Sequence, residues 1–391
     1  MAQEKIDYGF ICESGVSNDF KASVSNIVKT YGENCLGVCV LPNWAYNNKR
    51  QPPSGFTLAL DGKKTPVIPD AFSPEKLFYG TTALRLEGVK PRDWKTINAD
   101  SVISRVKYSS GDAMNACCIP KGSSQCVDEK NWTPVLGTNS GNYLGLFSAL
   151  SIDDYKPKEE YWIVVQTGSK DLSTSIYEEM EQLEEKPQTL AHFLQHSDSM
   201  NYAKRACKRL RAKLILQFGE GLGINMDKYK KLDPNSREEE KKYGDLIDPT
   251  IENIAYNFEI KDGMVIYHSN SINPSVCSSG VIMGQNPFIG PVLLRNSDVR
   301  NRGWSGVSKS FFGFPTCTGR KKPLNLKEIE GEKVDISNLD TKFITSNETT
   351  PRLSTGVYRK RDSVFKHKES QLGFEHKWEQ IQLKPLVLMT N

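Results

Sequence analysis

No run of about 18 apolar residues occurs anywhere in the sequence, so no transmembrane helix is expected. The N-terminus, MAQEKIDYGFICESG, carries acids early and has no long apolar core, which argues against a signal peptide. Histidine is scarce, with five residues at 192, 196, 268, 367 and 376, so few imidazoles are on hand as bases. Nine cysteines, an odd number, follow no zinc spacing. Without a signal segment they read as free thiols in a reducing compartment. A short-range pairing among Cys117, Cys118 and Cys126 is the alternative. There is no internal repeat and no low-complexity tract. GEGLG at 219–223 lacks the spacing and preceding strand of a phosphate-cradling loop, and reads as a helix stop. The balance of 51 basic against 47 acidic residues gives +4, too mild to name nucleic acid as a partner.

What is present is an ordinary globular composition, 38% hydrophobic and 25% charged over 391 residues. That length supports one large domain or two ordinary ones. Residues 16–33 carry helical spacing, with Ser17 or Asn18 as the cap. CLGVCVLP at 35–42 reads as a buried strand ended by Pro42. GFTLALDGKKTPVIP reads as two strands around Asp61-Gly62, and IAYNFEIKDGMVIYHS as a hairpin around Asp262-Gly263. YWIVVQTG is a further strand. Residues 108–135 form a loop insertion, 175–250 a helical insert and its polar connection, and 321–352 a polar excursion. Strands, then helices, then strands predict an α+β fold with one core, not an open doubly wound sheet.

Several constellations have competing readings. Cys317, in FPTCTGR, would be a nucleophile if a histidine lay within hydrogen-bond reach; the plainer reading is an incidental loop thiol. HFLQH places His192 and His196 four apart on a helix, as a metal site requires, but has no glutamate between them. A surface or interface pair is the simpler account. In NYAKRACKRLRAKL, Ala203, Ala206, Cys207, Leu210 and Leu214 share one helical face. Lys204, Arg205, Lys208, Arg209 and Arg211 take the other, as a candidate polyanion site or a solvated face beside the acidic segment 177–185.

Taken in order, many segments resemble the RtcB family of RNA-splicing ligases. VSNDFKASVSNIVKTYG, VCVLPNWA and GFTLALDGKKTPVIP are similar to its first helix, Pro-Asp-x-His strand end and hairpin. EKLFYGTTALR resembles the Asp-x-Gly-Cys-Gly segment, and LGTNSGNYLGLF the loop ending Ser-Gly-Asn-His. WIVVQTGSKDL resembles the strand ending in His, TLAHFLQHSDSMNYAKRA the helical insert, and IAYNFEIKDGMVIYHS the His-Asn hairpin. GVIMGQNPFIG is similar to the Pro-Gly-Ser-Met-Gly strand, FPTCTGR to the Ser-x-His-Gly-Ala-Gly-Arg loop, and LKPLVLMTN to the Leu-x-Pro-Leu ending. The likeness spans nearly the whole chain and rests on order and spacing, since no single motif is intact. It implies one RtcB-like domain over 1–391, with central sheets around a former active-site cleft flanked by helices.

The resemblance also implies a lost activity. Active members join RNA ends with GTP and manganese, through a guanylylated histidine. The metal-binding Asp and Cys fall at Glu75 or Lys76 and at Phe78 or Tyr79, and the three ligand histidines at Tyr143, Gln166 and Tyr256. Pro-Asp-x-His reads Pro42-Asn43-Trp44-Ala45. The guanylylated histidine aligns with Thr316, which has no ring nitrogen to carry GMP. Tyrosine and glutamine are poor manganese ligands beside imidazole. Asn142, Asn257 and Arg320 match in kind as a residual pocket. The expectation is a catalytically inactive RtcB-like pseudoenzyme without cofactor, acting in assembly or as an adaptor. RNA binding without chemistry would use Lys204, Arg205, Lys208 and Arg209, with Arg320, Lys321 and Lys322. The alternative is a divergent ligase or nucleotidyl transferase using GTP and manganese through relocated residues, with Glu75, His192, His196 and Cys317 as those to test. Protein partners or self-assembly and a cytoplasmic location are expected, the host cytoplasm if the gene is viral.

Overall fold

The computed structural model describes residues 18–45, 54–66, 80–90, 92–107, 143–151, 157–167, 182, 189–229, 246–247, 258–269, 271–272, 280–283, 290–295, 314–315, 340–345 and 379–390. They form an α+β arrangement with two main sheets and few helices.

The smaller sheet has the order β1-β2-β8-β7, all antiparallel: β1 (Cys35–Ala45), β2 (Ser54–Asp61), β7 (Phe258–Lys261) and β8 (Met264–Ser269). Helix α1 (Asn18–Tyr31) buries Phe20, Val24 and Tyr31, spaced to fall on one helical face. Phe20 packs on Trp44 of β1 with ring centroids 5.1 Å apart. The β7–β8 hairpin forms as expected: Asp262 (φ 52°) and Gly263 (φ 80°) both adopt the left-handed conformation that a tight two-residue turn requires.

Two expectations for this sheet need correcting. Pro42 does not end β1, which continues to Ala45 through a register shift between Val40 and Ala45. Since β1 is an edge strand, a residue without an N–H breaks no ladder bond on its open side. The Asp61-Gly62 turn is real, but β2 pairs with β1 and β8 instead of folding back on the next segment. After the turn the described chain makes one isolated bridge, Pro66 to Thr189. Gly62 donates its N–H to the Gly263 carbonyl at 3.1 Å, so the two Asp-Gly turns lie side by side.

The larger sheet has the order β10-β11-β14-β4-β5-β3-β6. Its strands are β3 (Gly80–Leu86), β4 (Tyr143–Ser151), β5 (Pro157–Thr167), β6 (Leu246–Ile247), β10 (Gly280–Met283), β11 (Val292–Arg295) and β14 (Glu379–Thr390). β13 (Lys342–Thr345) pairs with β14 in parallel, so the span 321–352 contributes a strand and not only a polar excursion. The outer face carries Leu84, Leu146, Ile163 and Val387 against α2 (Ala99–Lys107) and α4 (Asp198–Gly221). α3 (Leu190–His196) precedes α4. The helical insert 175–250 thus supplies α4 of the helix layer and strand β6, while α2 comes from outside it. α4 ends as expected at the glycine-rich stretch. Gly223 (φ 72°) donates to Glu220 O, and Ile224 to Gly219 O, the paired bonds of a Schellman stop.

The opposite face is concave. β6 and β10, the ends of the strand order, approach each other, and Ala83 of β3 joins Ile282 of β10 in one buried cluster. Tyr143, Phe147, Trp162, Leu293 and Leu383 fill it. In β14, Ile381 and Leu383 share this face with Leu388, although odd and even positions ordinarily face apart. The register shift between Pro385 and Val387 supplies the extra residue that flips the alternation.

Candidate functional site

The large sheet brings several predicted positions to one end. Tyr143, the first residue of β4, lies directly opposite Gln166 near the end of β5. Gln166 in turn lies opposite Thr81 of β3, and Tyr143 opposite Thr390 of β14. Two of the positions that the resemblance aligns with ligands are therefore cross-strand neighbours, beside the C-terminal end of the last strand. Both are buried, Tyr143 at 0% and Gln166 at 3% exposure. The Tyr143 ring meets Phe147 edge-on, with centroids 6.2 Å apart and planes at 70°. Gly145 between them makes this packing feasible: a Cβ there would stand 2.8 Å from Phe147 and 3.0 Å from Leu388.

Arg211 corrects an expectation. It does not join a solvated basic face: it is 1% exposed, and its Nε donates to Thr82 Oγ1 at 3.0 Å. Its Nη1 reaches the Thr167 carbonyl at 3.5 Å. A guanidinium can enter the sheet–helix layer because fixed oxygens receive its donors. It ties α4 to the same end of the sheet where Tyr143 and Gln166 meet. Lys204, Arg205, Lys208 and Arg209 lie on the backbone of α4, and their side chains fall outside the described residues.

A second polar group lies on the small sheet. Cys39, Thr57 and His268 occupy one cross-strand row and are all buried. His268 Nε2 stands 3.3 Å from Glu259 Oε2, and His268 Nδ1 stands 3.1 Å from Ser271 Oγ. These three are buried as well, with His268 and Ser271 at 0% exposure. Ser271 begins β9 (Ser271–Ile272) and pairs with Pro315 of β12 (Phe314–Pro315). Thr316, which the resemblance aligns with the guanylylated histidine, follows that pair directly in sequence. This chain of carboxylate, imidazole and hydroxyl can fix a tautomer and hold a proton at a defined nitrogen. It was missed in the sequence. Once the Asp262-Gly263 turn is accepted, Glu259 falls opposite Ile266 and diagonal to His268 on the same face.

On the α1 side of this sheet, burial raises the Tyr267 phenol to about 12, partly offset by its bond to Ser269. Burial likewise raises the Cys35 thiol to about 11, so it is protonated and unreactive at neutral pH. Tyr31 is raised well above its ordinary range by burial, with Tyr267 and Cys35 adding to the effect.

Trp44, in the segment equivalent to Pro-Asp-x-His, packs on Phe20 and presents no ligand. His192 and His196 are both exposed, and their ring centroids lie 4.5 Å apart. Glu75, Lys76, Phe78, Tyr79, Asn142, Tyr256, Asn257, Thr316, Cys317, Arg320, Lys321 and Lys322 lie outside the described residues. So do Cys117, Cys118 and Cys126, and with them the insertion 108–135. No helix among the described residues is long and apolar enough to cross a membrane. No family model matches the chain, and no curated protein sequence matches it either.

Proposed function

We propose that the chain is a catalytically inactive RtcB-like protein that serves as a structural scaffold or adaptor. The observation that carries this reading is the pairing of Tyr143 with Gln166. Two positions that the resemblance equates with manganese ligands stand opposite each other, as the ligands of one centre would need to, yet both are buried among packed side chains. A phenol in a filled aromatic cluster and a buried carboxamide opposite it are poor candidates to hold a divalent ion. The same packing turns a former cleft into stabilising core, the chemistry expected of a retained scaffold.

The test is direct. Purified protein is incubated with GTP, manganese and RNA carrying 3′-phosphate and 5′-hydroxyl ends. No joined RNA and no covalently bound GMP are expected; GMP on any residue would overturn the reading. Assembly is the role put first, with RNA binding through Lys204, Arg205, Lys208 and Arg209 as the competing outcome, to which the buried Arg211 adds nothing. Self-association seen by light scattering, without RNA retention even at low salt, is the expected pattern. Binding that falls steeply with added salt would instead assign phosphate contacts.

One observation favours the alternative of relocated chemistry with GTP and manganese: Glu259, His268 and Ser271 are ordered as an acid, a base and a hydroxyl. Against it, both His268 and Ser271 are fully buried, so a substrate does not reach the hydroxyl. The chain reads better as an internal brace between β8 and β9.

A further inference from the structure

We propose that His192 and His196 form a two-imidazole chelate for a divalent transition metal ion of the zinc, nickel or copper class. The two residues are four apart on α3, one helical turn, so both imidazoles leave the same face. Their ring centroids are 4.5 Å apart with planes at 43°, close enough for one ion to engage a nitrogen of each after small side-chain rotations. Both are exposed, so an ion has access from solvent.

The backbone beneath them is fixed at both ends. Thr189 Oγ1 accepts from the His192 N–H at 3.3 Å, and the Leu190 N–H donates to the Thr65 carbonyl at 2.8 Å. The Ser197 N–H donates to Phe193 O at 2.9 Å, closing the other end. Leu190, Phe193 and Leu194 anchor the inner face. A seven-residue helix is marginal alone, but this one is held by packing and caps. Chelation therefore orders only imidazole torsions, which keeps its entropic cost low.

The donor set decides the metal class. Neutral imidazoles suit zinc, copper and nickel, whereas magnesium and calcium require oxygen donors. Among the described residues no third His, Cys, Asp or Glu side chain joins the pair, so the described site offers two imidazole ligands and leaves positions for water. That makes it an open site, unlike a four-ligand structural zinc centre.

The test titrates the full chain, stripped of metal, with zinc or copper(II) in a calorimeter. Copper(II) spin resonance then counts the coordinating nitrogens. One ion per chain with two nitrogen ligands is expected. Replacing a chelate by a single ligand removes the effective-concentration gain, so His192→Ala and His196→Ala should each weaken binding roughly 100-fold. Circular dichroism should show both variants folded, since both side chains are exposed. His367→Ala and His376→Ala should bind as the parent does. Unchanged affinity in His192→Ala or His196→Ala, or loss of binding in the His367 or His376 variant, overturns the proposal. So does the absence of binding by zinc, nickel and copper alike.

Discussion

Trp162→Ala tests whether the concave face of the large sheet is a filled core or an open cleft. Trp162 lies on β5, is 0% exposed, and is among the largest fully buried side chains. Its neighbours in the cluster include Tyr143, Phe147 and Leu383. A buried aromatic removes about 150–250 Å² from water. At about 25 cal/mol per Å² this amounts to roughly 4–6 kcal/mol. Large-to-small replacements of buried Phe or Trp cost about 3–5 kcal/mol, part of it for the cavity left behind. The prediction is a loss of about 3–5 kcal/mol, a large share of the roughly 5–15 kcal/mol of a typical domain. Urea denaturation followed by circular dichroism measures it, with equal slopes required for the two proteins. Trp162→Phe keeps most of the filling and should cost less than half as much. A loss below about 1 kcal/mol for Trp162→Ala would mean that water already reaches this face. The proposal that aromatic packing has closed a former cleft would then fail with it.

Gly290 has φ 82°, and a Cβ on it would stand 1.8 Å from the Leu383 carbonyl oxygen, so Gly290→Ala must push β11 away from β14. A loss of roughly 2–4 kcal/mol is expected by thermal or urea melting, combining left-handed strain with overpacking. Gly88→Ala is the control: φ is 70° but nothing lies within 4 Å, so only the backbone strain of about 1–2 kcal/mol should appear. Stability should also fall in alkali. Cys35 is raised from 9.0 to about 11 and Tyr267 from 10.0 to about 12, so each holds its proton more tightly folded than unfolded. Their contribution is complete below the unfolded values and drains as pH rises through the folded ones. Urea midpoints should therefore drop between about pH 9 and pH 12, and Cys35→Ala should flatten that decline; a rising midpoint would refute the burial of these groups.

Local rules were readable and long-range ones were not. The β7–β8 hairpin and the stop of α4 follow from Asp262-Gly263 and Gly223, whose backbone demands are encoded in the residues themselves. Pro42 misleads because its cost depends on whether its strand is an edge, a property of the sheet and not of the segment. Pro385 stands in a central strand, β14, where the adjoining bulge accommodates it. Arg211 fails for a different reason. A helical wheel places charge outside, but oxygens of β3 and β5 wait on the inside, and only the packed sheet shows them.

The candidate site was legible to the same degree. Listing Tyr143 and Gln166 as separate ligand positions needs only sequence order, while their meeting needs the register of β4 on β5. That register ties the two positions together in a way the resemblance alone does not. β4 and β5 are consecutive antiparallel strands, so the first residue of one falls opposite the end of the other. Their burial then bears on activity. A metal centre at a strand end depends on a few exposed donors, whereas the strands beneath depend on many apolar contacts spread over β3, β4, β5 and β14. Loss of donors costs the core little. The tyrosine at position 143 supplies apolar contact of its own, through Phe147. Under the proposed scaffold role, core stability and release from catalysis would favour the same residues at this filled end of the sheet.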